Sequence, residues 1–170
     1  AMHEAASAML EAGIRHILYV YNAQSYSGIR KRKGITDAMQ RAGIKDPDRY
    51  IYHYTGRMDR LCDITDFIEQ IADSGVAFDG MIAAEDTLAI GCMKYAKRRG
   101  IRIPQELSII GYNNSILTDC CTPELTSVDN RLETLSHQLA QTLLRVIDGE
   151  EMPTKAVYAG KLVKRGTTNF

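Results

Sequence analysis

The run GMIAAEDTLAIGCMKYAKRRG, residues 80–100, carries a strand, a turn and a helix in direct succession. Gly80 to Ala84 is a short apolar stretch of strand length that stops at two carboxylates, Glu85 and Asp86. Asp86 reads as the N-cap of a helix reaching Arg99, because a short acidic side chain can accept from the first free amides. Lys97, Arg98 and Arg99 fill the last turn, where the helix dipole favours cations, and Gly100 supplies the stop. Pro104 punctuates the turn that follows, and Leu107 to Tyr112 (Leu-Ser-Ile-Ile-Gly-Tyr) forms the next buried strand.

Working outward, the same alternation repeats. Met2 to Ala12 has Ala, Met and Leu at helical spacing before Gly13, and His16 to Tyr21 is a β-rich run. Ser27 to Ala42 reads as a helix closed by Gly43, Arg49 to Tyr54 as a strand, and Leu61 to Asp73 as a helix with Ile64, Phe67, Ile68 and Ile71 on one face before Gly75. Downstream, Asn113 to Glu124 is irregular and Leu125 to Val128 is short and extended. Leu132 to Ile147 places Leu135, Leu139, Leu143 and Val146 along one side of a helix ended by Gly149, and Lys155 to Val163 reads as a final strand. Strand–helix units joined by short turns give an α/β fold with a mostly parallel, doubly wound sheet.

Composition sets the outer limits. A chain of 170 residues with 45% hydrophobic and 25% charged residues fits one globular domain. The formal net charge of zero argues against a dedicated nucleic-acid grip, which needs a basic excess. No apolar run is long enough to span a bilayer, and the first ten residues lack the basic leader and apolar core of a secretory signal. Cys62, Cys92, Cys120 and Cys121 have no paired zinc spacing and are read as reduced thiols of a cytoplasmic protein.

In a doubly wound sheet ligands lie beyond the carboxyl ends of the strands. That rule selects the loops starting at Asn22, Ala84 and Asn113. The first, Asn22 to Gly28, offers hydroxyls and a helix N-terminus, with capping by Ser25 or Ser27 as the plainer use. Arg30-Lys31-Arg32-Lys33 is the densest basic run and reads chiefly as a solvated helix face, with room for one member to turn inward toward a ligand hydroxyl or carboxylate. Glu85 can accept from ligand hydroxyls, and Asn113-Asn114 can both donate and accept, although Asn also suits tight turns. His3, His16, His53 and His137 are scattered; no nucleophile elbow, phosphate loop, HExxH or GxGxxG occurs, so the sequence indicates no enzyme, cofactor or metal.

These motifs, in order, resemble the LacI/GalR family of bacterial transcription regulators. Ala83 to Gly91 is similar to the family's AxNDxxAxG turn, Gly100 to Pro104 to its GxxVP junction, and Leu107 to Asn114 to xSVxGYDD. Pro123 to Val128 is similar to PxLTTV, Leu162 to Thr168 to LVxRxTT, and Ala12 to Ile17 to xGHxxI. The resemblance implies a periplasmic-binding-protein-like domain of two lobes joined by three crossovers. Within it, residues 1–170 are part of the effector-binding region: the second lobe, about 1–124, then a crossover, the helix 131–148 and the C-terminal strand. The DNA-binding headpiece is expected to lie outside the chain.

By the same resemblance the ligand, a sugar or sugar derivative, meets Lys31, Glu85, Asn113 and Asn130, with Ser27 and Asp59 as weaker positions. Lys31 stands where the family often has Arg, Glu85 where it often has Asn, and Asn113 where it usually has Asp. Lys31 for Arg loses bidentate geometry, and Asn113 for Asp removes a carboxylate grip on paired hydroxyls. The resemblance further implies a homodimer in the cytoplasm, DNA contact only through the headpiece and no membrane. The helix from Leu132 to Ile147 belongs with the first lobe, so here its apolar face is expected to pack on another copy or exchange between chains. A sugar-binding protein of a transport system is the alternative.

Overall fold

The computed structural model describes residues 1–22, 24–153 and 157–170. Among these residues five helices and six strands follow one another: α1 (Met2–Glu11), β1 (Ile17–Asn22), α2 (Tyr26–Arg41), β2 (Ile51–Tyr54), α3 (Leu61–Asp73), β3 (Gly80–Ala83), α4 (Asp86–Arg99), β4 (Ser108–Tyr112), β5 (Thr126–Asp129), α5 (Leu132–Ile147) and β6 (Lys161–Val163). Short 3-10 helices at Pro47–Tyr50 and Ile116–Thr118 fill two connections. The strands lie in the order β2-β1-β3-β4-β5-β6. All neighbours are parallel except β5 and β6.

Alternating residues of the strands feed two cores. Leu18, Val20, Met81, Ala83 and Ile109 pack under α3 and α4, while Ile17, Tyr19, Ile82 and Ile110 pack under α1 and α2. This double burial is why the strands read as continuous apolar runs rather than polar–apolar alternation. Gly91 lets α4 lie close to α3: a Cβ there would meet the Ile64 side chain at 2.3 Å. Gly100 ends α4 at φ 67°, a left-handed position that glycine adopts without steric cost.

Several boundaries differ from the sequence reading. Arg49 and Tyr50 join the 3-10 turn, so β2 starts at Ile51. The final strand is only Lys161–Val163; Lys155 and its neighbour Ala156 lie outside the described residues, and 157–160 are not strand. The basic last turn of α4 does more than complement its dipole. Arg98 and Arg99 reach α3, with Arg98–Asp66 and Arg99–Asp73 both at 2.6 Å and Arg99–Glu69 at 2.7 Å.

Helix α5 has no buried residue. Leu139 and Ile147 are 69% and 71% exposed, and Leu143, Leu144 and Val146 are exposed beside them.

Candidate functional site

The strand order reverses between β1 and β3, which makes the carboxyl edge of those strands and β4 the crevice of the fold. Helix α2 starts there. Its cap is Ser25, whose Oγ accepts from the Gly28 amide at 3.2 Å, and the neighbouring Ser27 Oγ lies 3.0 Å from Ser25 Oγ. Tyr19 donates its hydroxyl to the Gly28 carbonyl at 2.9 Å, which seats the first turn of α2 on the sheet.

Of the basic run on α2, one member turns inward. Lys31 sends Nζ across the crevice to donate to the Ala84 carbonyl at 2.9 Å, and the same ammonium sits 3.4 Å from the centre of the Tyr112 ring. Arg32 instead pairs with Asp48 at 2.6 Å, and Arg30 and Lys33 are exposed. Burial pushes the Lys31 amine down to about 8 from its ordinary 10.5, with Glu85 and Asp86 partly opposing that shift.

Lys31 thereby joins two of the strand-end loops selected from sequence. Glu85 follows Ala84 at the N-cap of α4, half-buried, with an extended backbone and no capping bond from its side chain. Tyr112 leads into Asn113, whose Oδ1 accepts from Asn130 Nδ2 at 3.2 Å. Lys31, Glu85, Asn113 and Asn130 thus follow one another along a single edge. Asn130 Oδ1 is buried with no hydrogen-bond partner among the described residues, an acceptor left over at that edge. Beside it an open polar groove of about 810 Å³ runs between Asn113, Ser115, Asp129 and Arg131.

Ser27 lies one helical turn before Lys31 and is exposed. Asp59 lies after β2 and is engaged with Arg57, at 3.0 and 2.6 Å, which holds its carboxyl below the usual range. No hydrogen bond or ion pair among the described residues joins Asp59 to the other five positions. The apolar groove of about 550 Å³ bounded by Leu61, Ile90, Met93, Ile103 and Cys121 contains none of the six.

Sequence reasoning missed three parts of this edge. Tyr112, the platform for Lys31, could have been found from its place as the last residue of a buried strand. Asp86 is not the N-cap: it is the first helical residue, buried, and its carboxylate faces Ser115 and Ser127. Arg165, from the tail, donates to Asn114 Oδ1 at 2.9 Å and pairs with Asp119 at 3.0 Å, a closure that no local pattern announces. All four cysteines are free, and burial pushes the Cys92 thiol up, which suits an inert core residue.

Lys31 gives the site a pH signature. Folded, it releases its proton near pH 8; unfolded, near 10.5. Between these values the unfolded chain binds more protons, so Lys31 makes stability rise with pH across that window, and its burial penalty is full below pH 8. Tyr19, raised by burial, opposes this only above about pH 10, the ordinary tyrosine value. Relative to Lys31→Met, the wild-type chain is therefore expected to gain stability from pH 8 to 10 in urea unfolding. Parallel pH profiles for the two would contradict the buried ammonium.

A sequence profile of the periplasmic binding protein-like domain matches residues 6–168. An HTH-type transcriptional regulator of Lachnoclostridium phytofermentans is 40% identical over 170 residues, covering 100% of this chain and 50% of that protein. The transcription regulator GntR of Chromobacterium violaceum superposes with a TM-score of 0.89 at 24% identity, covering 99% of this chain and 62% of that one. A LacI family regulator of Enterococcus faecium with bound ribose superposes at 0.83 and 24% identity, covering 98% and 61%. The chain spans about half the length of the curated relatives it matches. No helix among the described residues is long and apolar enough to cross a membrane. With nearly every residue inside the profile, and with the LacI/GalR-like motifs from Ala12 to Thr168 all falling within it, the chain belongs to the periplasmic binding protein-like domain family.

Proposed function

We propose that this chain is the effector-sensing part of a LacI-type transcription regulator, binding a sugar or sugar derivative between this lobe and a second one. The observation that carries the reading is that Lys31, Glu85, Asn113 and Asn130 lie in succession along the carboxyl edge of β3, β4 and β5, next to the strand-order reversal. Together they offer an ammonium, a carboxylate and two amides, which is the mixed donor and acceptor set that a polyhydroxylated ligand needs. Ser27 borders this set through its position on α2. Asp59 serves the reading only if lobe closure brings its loop inward.

The relatives add support: they carry the names of HTH-type regulators, and one regulator of the same fold was crystallised with ribose. In this reading the protein acts in the cytoplasm as a homodimer, carries out no catalysis, and touches DNA only through a helix-turn-helix headpiece. The effector works by binding one lobe arrangement better than the other, since a ligand shifts a conformational equilibrium only through such a difference. A transport sugar-binding protein has less support, because the matched relatives are regulators.

The test is a titration of the complete protein on its upstream operator DNA, by fluorescence anisotropy, against a panel of sugars, sugar acids and sugar phosphates. A panel member that changes operator affinity at least tenfold supports the reading. A panel without effect on DNA affinity, together with strong sugar binding, would favour the transport reading.

The domain assignment predicts a second behaviour. Under that assignment α5 would pack on the first lobe; in this chain its Leu139–Leu143 face is open. This chain is expected to self-associate at high concentration in light scattering, and Leu139→Lys with Leu143→Lys to make it monomeric. A wild-type monomer at every concentration would contradict the prediction.

A further inference from the structure

Asp86 is 2% exposed, and its carboxylate does not cap its own helix. Oδ2 accepts from the Ser115 amide and the Ser115 hydroxyl, each at 2.8 Å, and Oδ1 accepts from the Ser127 hydroxyl at 2.6 Å. Ser127 Oγ in turn accepts from the Asn114 amide at 3.1 Å, and the Asn113 amide donates to the Val128 carbonyl at 2.9 Å. One buried carboxylate therefore links the first turn of α4, the loop after β4 and strand β5.

The loop it holds is an unusual one. Asn113 has a φ of 107°, which residues other than glycine rarely adopt, and Asn114 follows at 49°, in the left-handed region that Asn enters more readily than most. The space for the carboxylate comes from Gly111: a Cβ there would lie 2.3 Å from Asp86 Oδ1. The charge is tolerated because three donors meet it and because it sits at the positive end of α4.

We propose that Asp86 is a positioning residue: its carboxylate locks the Asn113–Ser115 backbone and ties it to β5, so that the side chains of Asn113 and Asn130 are presented together at the strand edge. The purpose of that presentation rests on the effector reading above; the locking itself does not. Without the lock, Asn113 relaxes toward ordinary backbone angles and leaves the Asn130 amide. An uncharged isostere is the informative change, because it keeps the shape and offers an N–H₂ where one carboxylate oxygen now accepts.

The experiment is hydrogen–deuterium exchange by mass spectrometry on the complete protein, comparing wild type, Asp86→Asn, Ser115→Ala and Gly111→Ala. Asp86→Asn is expected to speed exchange across 113–115 at least tenfold while peptides over β3 and β4 keep wild-type rates. Gly111→Ala, which displaces the carboxylate without removing it, is expected to loosen the same segment, and Ser115→Ala to do so to a smaller extent. Should Asp86→Asn fail to fold, the other two variants decide the matter. Wild-type exchange at 113–115, or acceleration spread evenly over the sheet, overturns the proposal. Loosening at 113–115 without any sugar response in the operator titration would sink the effector reading while leaving this one intact.

Discussion

Ile64→Ala is expected to lower the unfolding free energy by about 2–5 kcal/mol, a large share of the ~5–15 kcal/mol typical of a domain. Ile64 is fully buried on α3. Its Cγ2 lies where a Cβ on Gly91 would stand, only 2.3 Å away, so the side chain fills the notch that the glycine opens in α4. Truncation leaves a cavity facing helix backbone, which cannot rotate a side chain into the gap, and this places the loss toward the upper end of the range. Nearby, the buried Thr65 hydroxyl lies 2.7 Å from the Leu61 carbonyl and 3.3 Å from the Gly91 carbonyl, a polar tie between α3 and α4. Urea unfolding at constant m-value checks the figure; a loss under about 1 kcal/mol would mean that the α3–α4 contact is looser than described.

The second large effect concerns the site. Lys31→Ala combined with Glu85→Ala is expected to weaken the effector found in the panel about 100-fold. Each removed group makes a charge-assisted hydrogen bond worth about 1.5–3 kcal/mol, and about 1.4 kcal/mol is tenfold in affinity. The low end applies to each because neither group is fully enclosed by this lobe. Glu85 makes no capping bond, and among the described residues the Lys31 ammonium meets a carbonyl and a ring face, so their removal spares the α4 start. Ser27→Ala, on the exposed rim, is expected to change affinity less than about threefold, as for one neutral hydroxyl. The readout is the effector concentration at half-maximal change in operator binding. Equal midpoints for wild type and double variant would remove Lys31 and Glu85 from the site.

How far the sequence reached follows from where each feature gets its determinants. Strands β1, β3 and β4 were legible because both faces are buried, leaving runs such as Ile17 to Tyr21 apolar throughout. Helix ends were legible because glycines 13, 43, 75, 100 and 149 take positive φ just past them. The strand-end rule selected the loops that follow β1, β3 and β4, since topology alone dictates that edge. It could not say that Lys31, of four adjacent basic residues, is the one turned inward, because that depends on α2 meeting Ala84 and Tyr112 across the sheet. Asp86 was misread for a similar reason. A carboxylate at a helix start looks like a cap, and only partners 29 and 41 residues away reveal the hub. Strand β2 lost its first residues to a 3-10 turn opened by Pro47, a local choice that its β-rich composition conceals.

The central claim is that Lys31, Glu85, Asn113 and Asn130 form one face of an effector site. A crystal structure of the complete protein, grown with the panel member that alters operator binding, tests it most directly. The ligand is expected between the lobes, with its oxygens within about 3.2 Å of Lys31 Nζ and the Glu85 carboxylate and in contact with the Asn113–Asn130 pair. A ligand seated elsewhere, with Lys31 still bound to the Ala84 carbonyl and Glu85 open to solvent, would contradict it.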